Sequence, residues 1–347
     1  MSETDNTVTI VNPLKLPKWN QLLQSSGQAT VFHTSNWARV LAESYGYHPA
    51  YVMLAEQGSF RGCLPVMEVN SVLTGKRGVC LCFSDCCGAV TQGLDDFQLL
   101  LESVLMLGKM GNWRYAEFRG EQYLAEQIPN EAYAYHELEI TDVGKMHSRL
   151  RKGTSSSIRK AEREGVHITV SQCVEDLREF YRLHCLTRQR HGLPPQPSSF
   201  FYKLHQHLIA EDLGFTVLAH YKQKAVAGLI CLHFGDHAVW KYGASDDSFK
   251  HLNANNLVLW ETIKTCAARG FRCLSLGRTD LNNDGLISFK NGWGAIMTSL
   301  NYYRYDFTSN GFVSCGKKHS GSFRQLFRYL PIDMLKLIGR LAYRHVG

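Results

Sequence analysis

FTVLAHYKQKAVAGLICL, Phe215 to Leu232, decides how this chain folds. Phe215 to Tyr221 is rich in aromatic and aliphatic residues and reads as a strand. Gln223-Lys224 reads as a turn, and Ala225 to Phe234 as a second strand that returns beside the first. Beyond this hairpin, Asp236-His237 turns into a third strand, Ala238 to Gly243. A polar loop, SDDSFKHLNANN (Ser245 to Asn256), opens a helix from Leu257 to Arg269 that Gly270 stops. Arg272 to Leu276 is a buried strand, and Trp293 to Phe307 a further strand rich in aromatics. Three hairpin-linked strands, a helix and a return strand make a mixed α/β layer.

The first half repeats the theme. YVMLAEQGSFRGCLPVM, Tyr51 to Met67, is again strand, turn and strand, with Leu-Ala before the turn and a Gly early in the second strand. Each copy follows a helix and a Gly-aromatic pair, Gly46-Tyr47 and Gly214-Phe215, which points to a duplicated α/β unit. Around it lie a helix Asn36 to Tyr45, strands Tyr51 to Ala55, Arg61 to Val69 and Val79 to Phe83, and a helix from Asp95-Asp96 to Met110. Strands Arg114 to Arg119 and Tyr135 to Ile140 complete that layer. The 347 residues exceed one ordinary core and favour two domains. The boundary is expected where the chain turns basic, giving domains 1–145 and 146–310 and a basic amphipathic tail, 311–347. That tail carries Arg324, Arg328, Lys336, Arg340 and Arg344 and is expected to pack back on the protein, with the surface of an anionic membrane as the alternative. Val174 to Arg190 reads as an amphipathic helix, and Ser198 or Ser199 caps the next one, to about Ile209.

Composition narrows the function. At 44% hydrophobic and 20% charged the chain is globular. Its start, MSETDNTVTIVNPLK, is polar and acidic, and no apolar run approaches the ~20 residues of a membrane span, so a cytoplasmic protein is expected. A net charge of +7 suits a polyanionic partner such as RNA, a nucleotide-linked substrate or the inner surface of an acidic membrane. Cys80, Cys82, Cys86 and Cys87 have the spacing C-x-C-x3-CC, which matches no common zinc site; they read as reduced, packed cysteines, and no metal is expected. No Walker loop, G-x-G-x-x-G after a strand, H-E-x-x-H or G-x-S-x-G is present.

The stretch richest in chemistry is LGRTDLNNDGLISFKNGWG, Leu276 to Gly294, a polar loop leaving a buried strand. Acyl transfer to an amine passes through a tetrahedral oxyanion, which a fixed cation stabilises. Lys290 is the cation expected to do so, with Phe289 beside it excluding water. Asp280 or Asp246 is expected to take the amine proton. Tyr242 ends a strand, and the free N–H groups of the helix start at Asn255 or Asn256 are expected to attract a donor phosphate. The basic stretch Arg149 to Arg163 suits further phosphate contacts.

These residues resemble the FemAB-like family of the GNAT N-acyltransferase superfamily. The resemblance runs through FHTSNWARVLAESYGYHP (Phe32 to Pro49), FSDCCGAV (Phe83 to Val90), LRKGTSSSIRKAEREG (Leu150 to Gly165) and LTRQRHGLPPQPSSFF (Leu186 to Phe201). It continues through KYGASD (Lys241 to Asp246) and ends in LGRTDLNNDGLISFKNGWG. It implies an α/β (mixed α+β) fold of two tandem GNAT-like domains, each a mixed twisted sheet flanked by helices, with a cleft between them. It implies transfer of an acyl or aminoacyl group to an amine of a cell-envelope precursor, either a peptidoglycan peptide or a polysaccharide amino sugar. Phe289-Lys290 matches the family's Phe-Lys pair, and Arg159, Tyr242, Arg278 and Trp293 fall in motif positions suited to substrate contact. The helical arm of several peptidoglycan-bridge enzymes and the Q/R-x-x-G-x-G/A loop for coenzyme A are both missing. The donor, acyl-CoA or aminoacyl-tRNA, therefore stays open, with no permanently bound cofactor expected. The alternatives are an acyl-CoA-dependent acetyltransferase of exopolysaccharide synthesis and a non-catalytic glycan- or RNA-binding module.

Overall fold

A computed structural model describes residues 6–314 and 325–347. Its elements run β1 (Asn6–Val11), α1 (Trp19–Gln24), α2 (Ser35–Tyr45), β2 (His48–Pro49), β3 (Tyr51–Glu56), β4 (Ser59–Leu64), β5 (Met67–Ser71), β6 (Gly75–Val79), α3 (Leu94–Met110) and β7 (Tyr115–Arg119). There follow β8 (Glu131–Glu139), α4 (Val143–Arg149), α5 (Lys152–Arg163), β9 (His167–Ser171), α6 (Val174–Arg190), α7 (Ser198–Leu204), β10 (Gly214–Tyr221), β11 (Lys224–Phe234) and β12 (His237–Ser245). The chain ends with α8 (Ala254–Ala268), β13 (Cys273–Asp280), α9 (Asp284–Asn291), β14 (Ile296–Asp306), β15 (Gly311–Phe312) and α10 (Ile332–Ala342).

Two compact units result. Among the described residues, unit 1 comprises 6–133, 299–314 and 343–347, and unit 2 comprises 134–298 and 325–342. The division falls at 133/134, ahead of the expected 145/146. The reason is pairing: β8 lies beside β13, and Ile140 N–H donates to Arg272 O at 2.8 Å. From 299 the chain returns to unit 1, where Tyr302–Asp306 of β14 pairs with Tyr115–Arg119 of β7. Arg324, at the head of the tail, lies outside the described residues.

The two hairpins that suggested a duplication share more than sequence. In unit 1, Gln57 and Gly58 turn with φ 49° and 80°; in unit 2, Lys222 and Gln223 turn with φ 47° and 64°. Each is a two-residue loop with both residues left-handed, matched to the twist of the flanking strands. Each hairpin also carries a bulge near its turn, at Leu54/Ala55 in one and Ala219/His220 in the other. A third strand pairs antiparallel with the first of each hairpin, β1 on β3 and β9 on β10. In unit 1 the strand expected over Val79 to Phe83 ends at Val79, and Phe83 sits at φ 59°. The run expected over Arg61 to Val69 is two strands, β4 and β5.

Unit 2 is built round β11, buried at all of its positions after Lys224. A run buried at successive positions is covered on both faces. Helix α8 packs on β10 and β11, while α6 packs on β10, β11 and β12. Gly228 is where α6 comes close: a Cβ there would lie 3.1 Å from Phe180. On the α8 side Ala227, Leu229 and Cys231 join Ile263, Cys266, Leu274 and Trp293 in one core. Ser155 to Ser157 do not cap α5; they lie inside it, since the helix begins at Lys152. Tail helix α10 seats Leu335 and Gly339 inward, and a Cβ on Gly339 would lie 1.9 Å from Pro195 O. No helix among the described residues is long and apolar enough to cross a membrane.

Candidate active site

The site is made by two strands that start together and part. β12 and β13 pair in parallel over His237–Val239 and Cys273–Ser275, and among the described residues that ladder stops there. At the point of parting β12 bulges: Cys231 faces Trp240 and Ile230 faces Tyr242, so Lys241 is the extra residue. β13 kinks two residues beyond its last pair, where Gly277 takes φ 73°, a conformation that favours glycine.

The expected polar loop after β13 is instead a helix. Asn283 caps α9 by accepting from Leu286 N–H at 3.1 Å. Leu286, Lys290 and Trp293 follow at helical spacing, and Trp293 is buried just past the helix. That spacing turns Lys290 inward. It is 2% exposed, and its Nζ donates to Gly277 O at 2.7 Å and Arg278 O at 3.3 Å. A buried ammonium is tolerable only with such acceptors. Lys290 thus clamps the kinked end of β13 and places a positive charge there.

Around the clamp lie residues that the motifs did not single out. Ser275 Oγ donates to Tyr135 Oη at 2.8 Å and accepts from Gly277 N–H at 3.1 Å. His136 Nε2 meets Asn291 Oδ1 at 3.1 Å. Burial, then the charge on Lys290, holds the His136 imidazole below its ordinary value, against the raising effect of Asn291. His136 Nδ1, Thr279 Oγ1 and Trp293 Nε1 are buried without a hydrogen-bond partner among the described residues. The signal available in sequence for Tyr135 and His136 was polar-faced alternation along a strand, which a core histidine gives equally.

Two adjoining hollows open past the end of β12, whose last residue, Ser245, reaches the first of them. One, about 420 Å³, is walled by the start of α8 (Asn253, Asn255, Asn256), by Ser245 and Asp246 after the bulge, and by Phe289. The other, about 360 Å³, shares Asn256 and Phe289 and adds Arg151, Thr154, Ser157 and Ser288 from α5 and α9. Asn253 enters α8 at φ 55°, and the first N–H groups of that 15-residue helix belong to this wall. Phe289 is edge-on to Trp240 at 6.2 Å and to Trp293 at 6.0 Å.

The other expected residues scatter. Asp280 is exposed at the end of β13, and Arg278 is exposed two residues before it. Asp246 lines the larger hollow, but its carboxylate caps Ser248 N–H at 3.1 Å and pairs with Lys224 at 3.1 Å. Those contacts outweigh its desolvation and hold it below the usual carboxylate range, so it is a poorer base than the sequence suggested. Tyr242 is turned the other way: Oη accepts from Gln196 Nε2 at 3.0 Å, and its ring packs among His184, Phe200 and Phe201. Arg159 is exposed on α5, on the same stripe as Lys152 and Arg163.

Residues 148–290, from the end of α4 to Lys290, match the model of the acetyltransferase (GNAT) domain family. The chain carries a GNAT acetyltransferase domain. That domain holds the parted strands, both hollows and the Lys290 clamp. No curated protein sequence matches the chain. Among solved structures, FemX matches at TM-score 0.70 and 12% identity, over 87% of this chain and 98% of that one. A C-terminal domain assigned to a lysylphosphatidylglycerol synthetase of Agrobacterium fabrum matches at 0.55 and 12%, over 82% and 91%. A tandem GNAT protein from the clavulanic acid biosynthesis pathway matches at 0.55 and 7%, over 87% and 98%. At such identities the likeness is one of fold, and it extends well past the GNAT domain into unit 1.

Proposed function

We propose that the GNAT domain transfers an acyl or aminoacyl group from an activated ester or thioester to an amine of a cell-envelope precursor. The observation that carries the reading is the parting of β12 from β13, with a buried ammonium at the end of β13 and a hollow walled by the end of β12 and the start of α8. The donor phosphates lie against the α8 N–H groups near Asn255 and Asn256. The acyl carbonyl enters between the strands, where no ladder bond competes for strand N–H groups. The acceptor nitrogen attacks the carbonyl carbon. A C–N bond forms, and the tetrahedral oxyanion collapses by expelling the alkoxide or thiolate. The amine proton passes to Asp280, directly or through water, and the leaving group takes up a proton. Aligning the two reactants supplies much of the rate.

Lys290 works in this scheme by position and field. Its hydrogen bonds to Gly277 and Arg278 fix the strand end, and its charge favours the developing oxyanion in a partly dry site. Phe289, packed on Trp240 and Trp293, keeps water from that charge. Asp246 belongs to the wall and the cap.

Helix α5 favours aminoacyl-tRNA over acyl-CoA as donor. Lys152, Ser156, Arg159 and Arg163 are all exposed at helical spacing, while Thr154, Ile158 and Ala161 are buried opposite. The first turn of that helix walls the smaller hollow, so a polyanion along the stripe leads its end into the site. The envelope acceptor rests on the FemAB-like motifs and on the fold shared with FemX. The test is mass spectrometry of an envelope-precursor pool incubated with protein and either charged tRNA or acyl-CoA, with and without ribonuclease. A new amide that ribonuclease abolishes supports the reading with tRNA as donor. An amide formed from acyl-CoA alone supports the transfer and replaces the donor. No amide from either donor refutes the transfer.

A further inference from the structure

Helix α10 has two apolar faces, and among the described residues only one is packed. Leu335 and Gly339 are seated against the protein, with Gly339 held at Pro195. Met334, Leu337 and Leu341 are 51%, 57% and 63% exposed, and their three- and four-residue spacing puts them on one stripe. Lys336 and Arg340 flank that stripe. Arg340 makes no ion pair among the described residues, and Lys336 pairs only with exposed Asp333, at 3.1 Å. Between α10 and the start of α7 lies a hollow of about 530 Å³. Lys336 and Arg340 line it with Ser198, Ser199 and Tyr181, and Leu337 stands at its edge. One turn along α7 from those serines, Tyr202 is 57% exposed.

We propose that this face of unit 2 docks on an anionic phospholipid surface, with Lys336 and Arg340 on headgroup phosphates at the hollow and Met334, Leu337, Leu341 and Tyr202 entering the interface. Aliphatic side chains beside cations and a tyrosine are the composition of a helix lying at a lipid boundary. A tyrosine suits that depth, with an apolar ring and a polar tip. A second copy of the chain fits the face less well. The stripe offers Met334, Leu337 and Leu341, few against the roughly 20–30 residues that each partner gives a standard interface. A two-fold pairing would also bring Lys336 and Arg340 toward their own copies. This placement is separate from the acyl-transfer reading, and either stands if the other fails.

The test is co-sedimentation of the full chain with vesicles of phosphatidylcholine and phosphatidylglycerol in equal parts, against vesicles of phosphatidylcholine alone. The chain is expected on the anionic vesicles and not on the neutral ones. Each surface cation is worth about a fivefold change in partitioning, so Lys336→Glu with Arg340→Glu should weaken binding by roughly 25-fold or more. Leu337→Asp, at an exposed position that leaves the fold intact, should weaken it too. Binding of all variants equal to that of the native chain would mean that only the overall charge attracts it, and would overturn the proposal. So would no binding by the native chain. A dimer in sedimentation velocity that Leu337→Asp dissolves would assign the face to a second copy instead.

Discussion

Replacing Lys290 by methionine separates the two contributions assigned to that residue. The side chain is 2% exposed and its Nζ serves two backbone carbonyls, at 2.7 and 3.3 Å. Methionine nearly preserves the volume, so little cavity forms. What is lost is the donor, leaving the carbonyls of Gly277 and Arg278 without it at the kinked end of β13. Each buried polar group deprived of its partner costs about 1–3 kcal/mol; with the longer, 3.3 Å contact counted at about 1 kcal/mol, a loss of about 2–4 kcal/mol is expected. For a domain of this size each kcal/mol lowers Tm by about 2–4 °C, which gives a drop of roughly 5–15 °C by scanning calorimetry. Acyl transfer, measured well below that Tm, should fall by at least a hundredfold, the scale on which a lost oxyanion-stabilising group acts. Lys290→Arg keeps a cation but not the compact ammonium that fits the buried site, and should be intermediate in both readouts. An unchanged Tm for Lys290→Met would refute the clamp. Activity lost at full stability would show the ammonium acting on substrate alone. Stability lost at full activity would remove Lys290 from the chemistry.

Other outcomes follow from the same geometry. Burial, with the charge of Arg188 adding to it, lowers His184 from 6.5 to about 3. The unfolded chain therefore takes up a proton from about pH 6.5 downward that the folded chain refuses. Stability from this group is complete above that pH and falls by about 2 kcal/mol by about pH 5. Burial lowers His233 to about 4, so His184→Gln should reduce, and not abolish, the acid slope in denaturant titrations at several pH values. Gly339→Ala would push a Cβ to within 1.9 Å of Pro195 O. It should lift α10 and speed proteolysis near residues 325–331, at a cost of about 1–3 kcal/mol. Asp246→Ala should lower stability by about 1 kcal/mol through the lost cap and leave turnover nearly unchanged, whereas Asp280→Asn should slow turnover steeply. The reverse ranking in a steady-state assay would move the base to Asp246.

What sequence could show here follows from how local the cause is. β10, β11, β12 and α6 were legible because apolar runs, turn residues and a 3.6-residue period act over a few neighbours. The turn at Lys222-Gln223 fell one residue from the expected place, since neither residue advertises the left-handed conformation both adopt. Helix α9 was hidden by Asn282, Asn283, Asp284 and Gly285, which read as loop, while only Asn283 acts as a cap. The burial of Lys290 had a faint signal in Leu286 and Trp293 at helical spacing. Its carbonyl partners had none, because backbone acceptors leave no mark on sequence. Tyr242 and Asp246 were named from their motif and sit beside the bulge. Yet packing sends one ring into an aromatic cluster, and a cap occupies the other carboxylate. The division at 133/134 and the return of 299–314 to unit 1 depend on which strands pair across long sequence separations, which no local pattern encodes.

The most direct test is amide hydrogen exchange of the full chain with and without the donor that supports turnover. Binding should slow exchange at the first turn of α8, around residues 254–257, and along the parted ends of β12 and β13, around 240–245 and 277–280. Protection confined to other segments, in a sample that still makes the amide, would contradict the placement of acyl transfer between those strands.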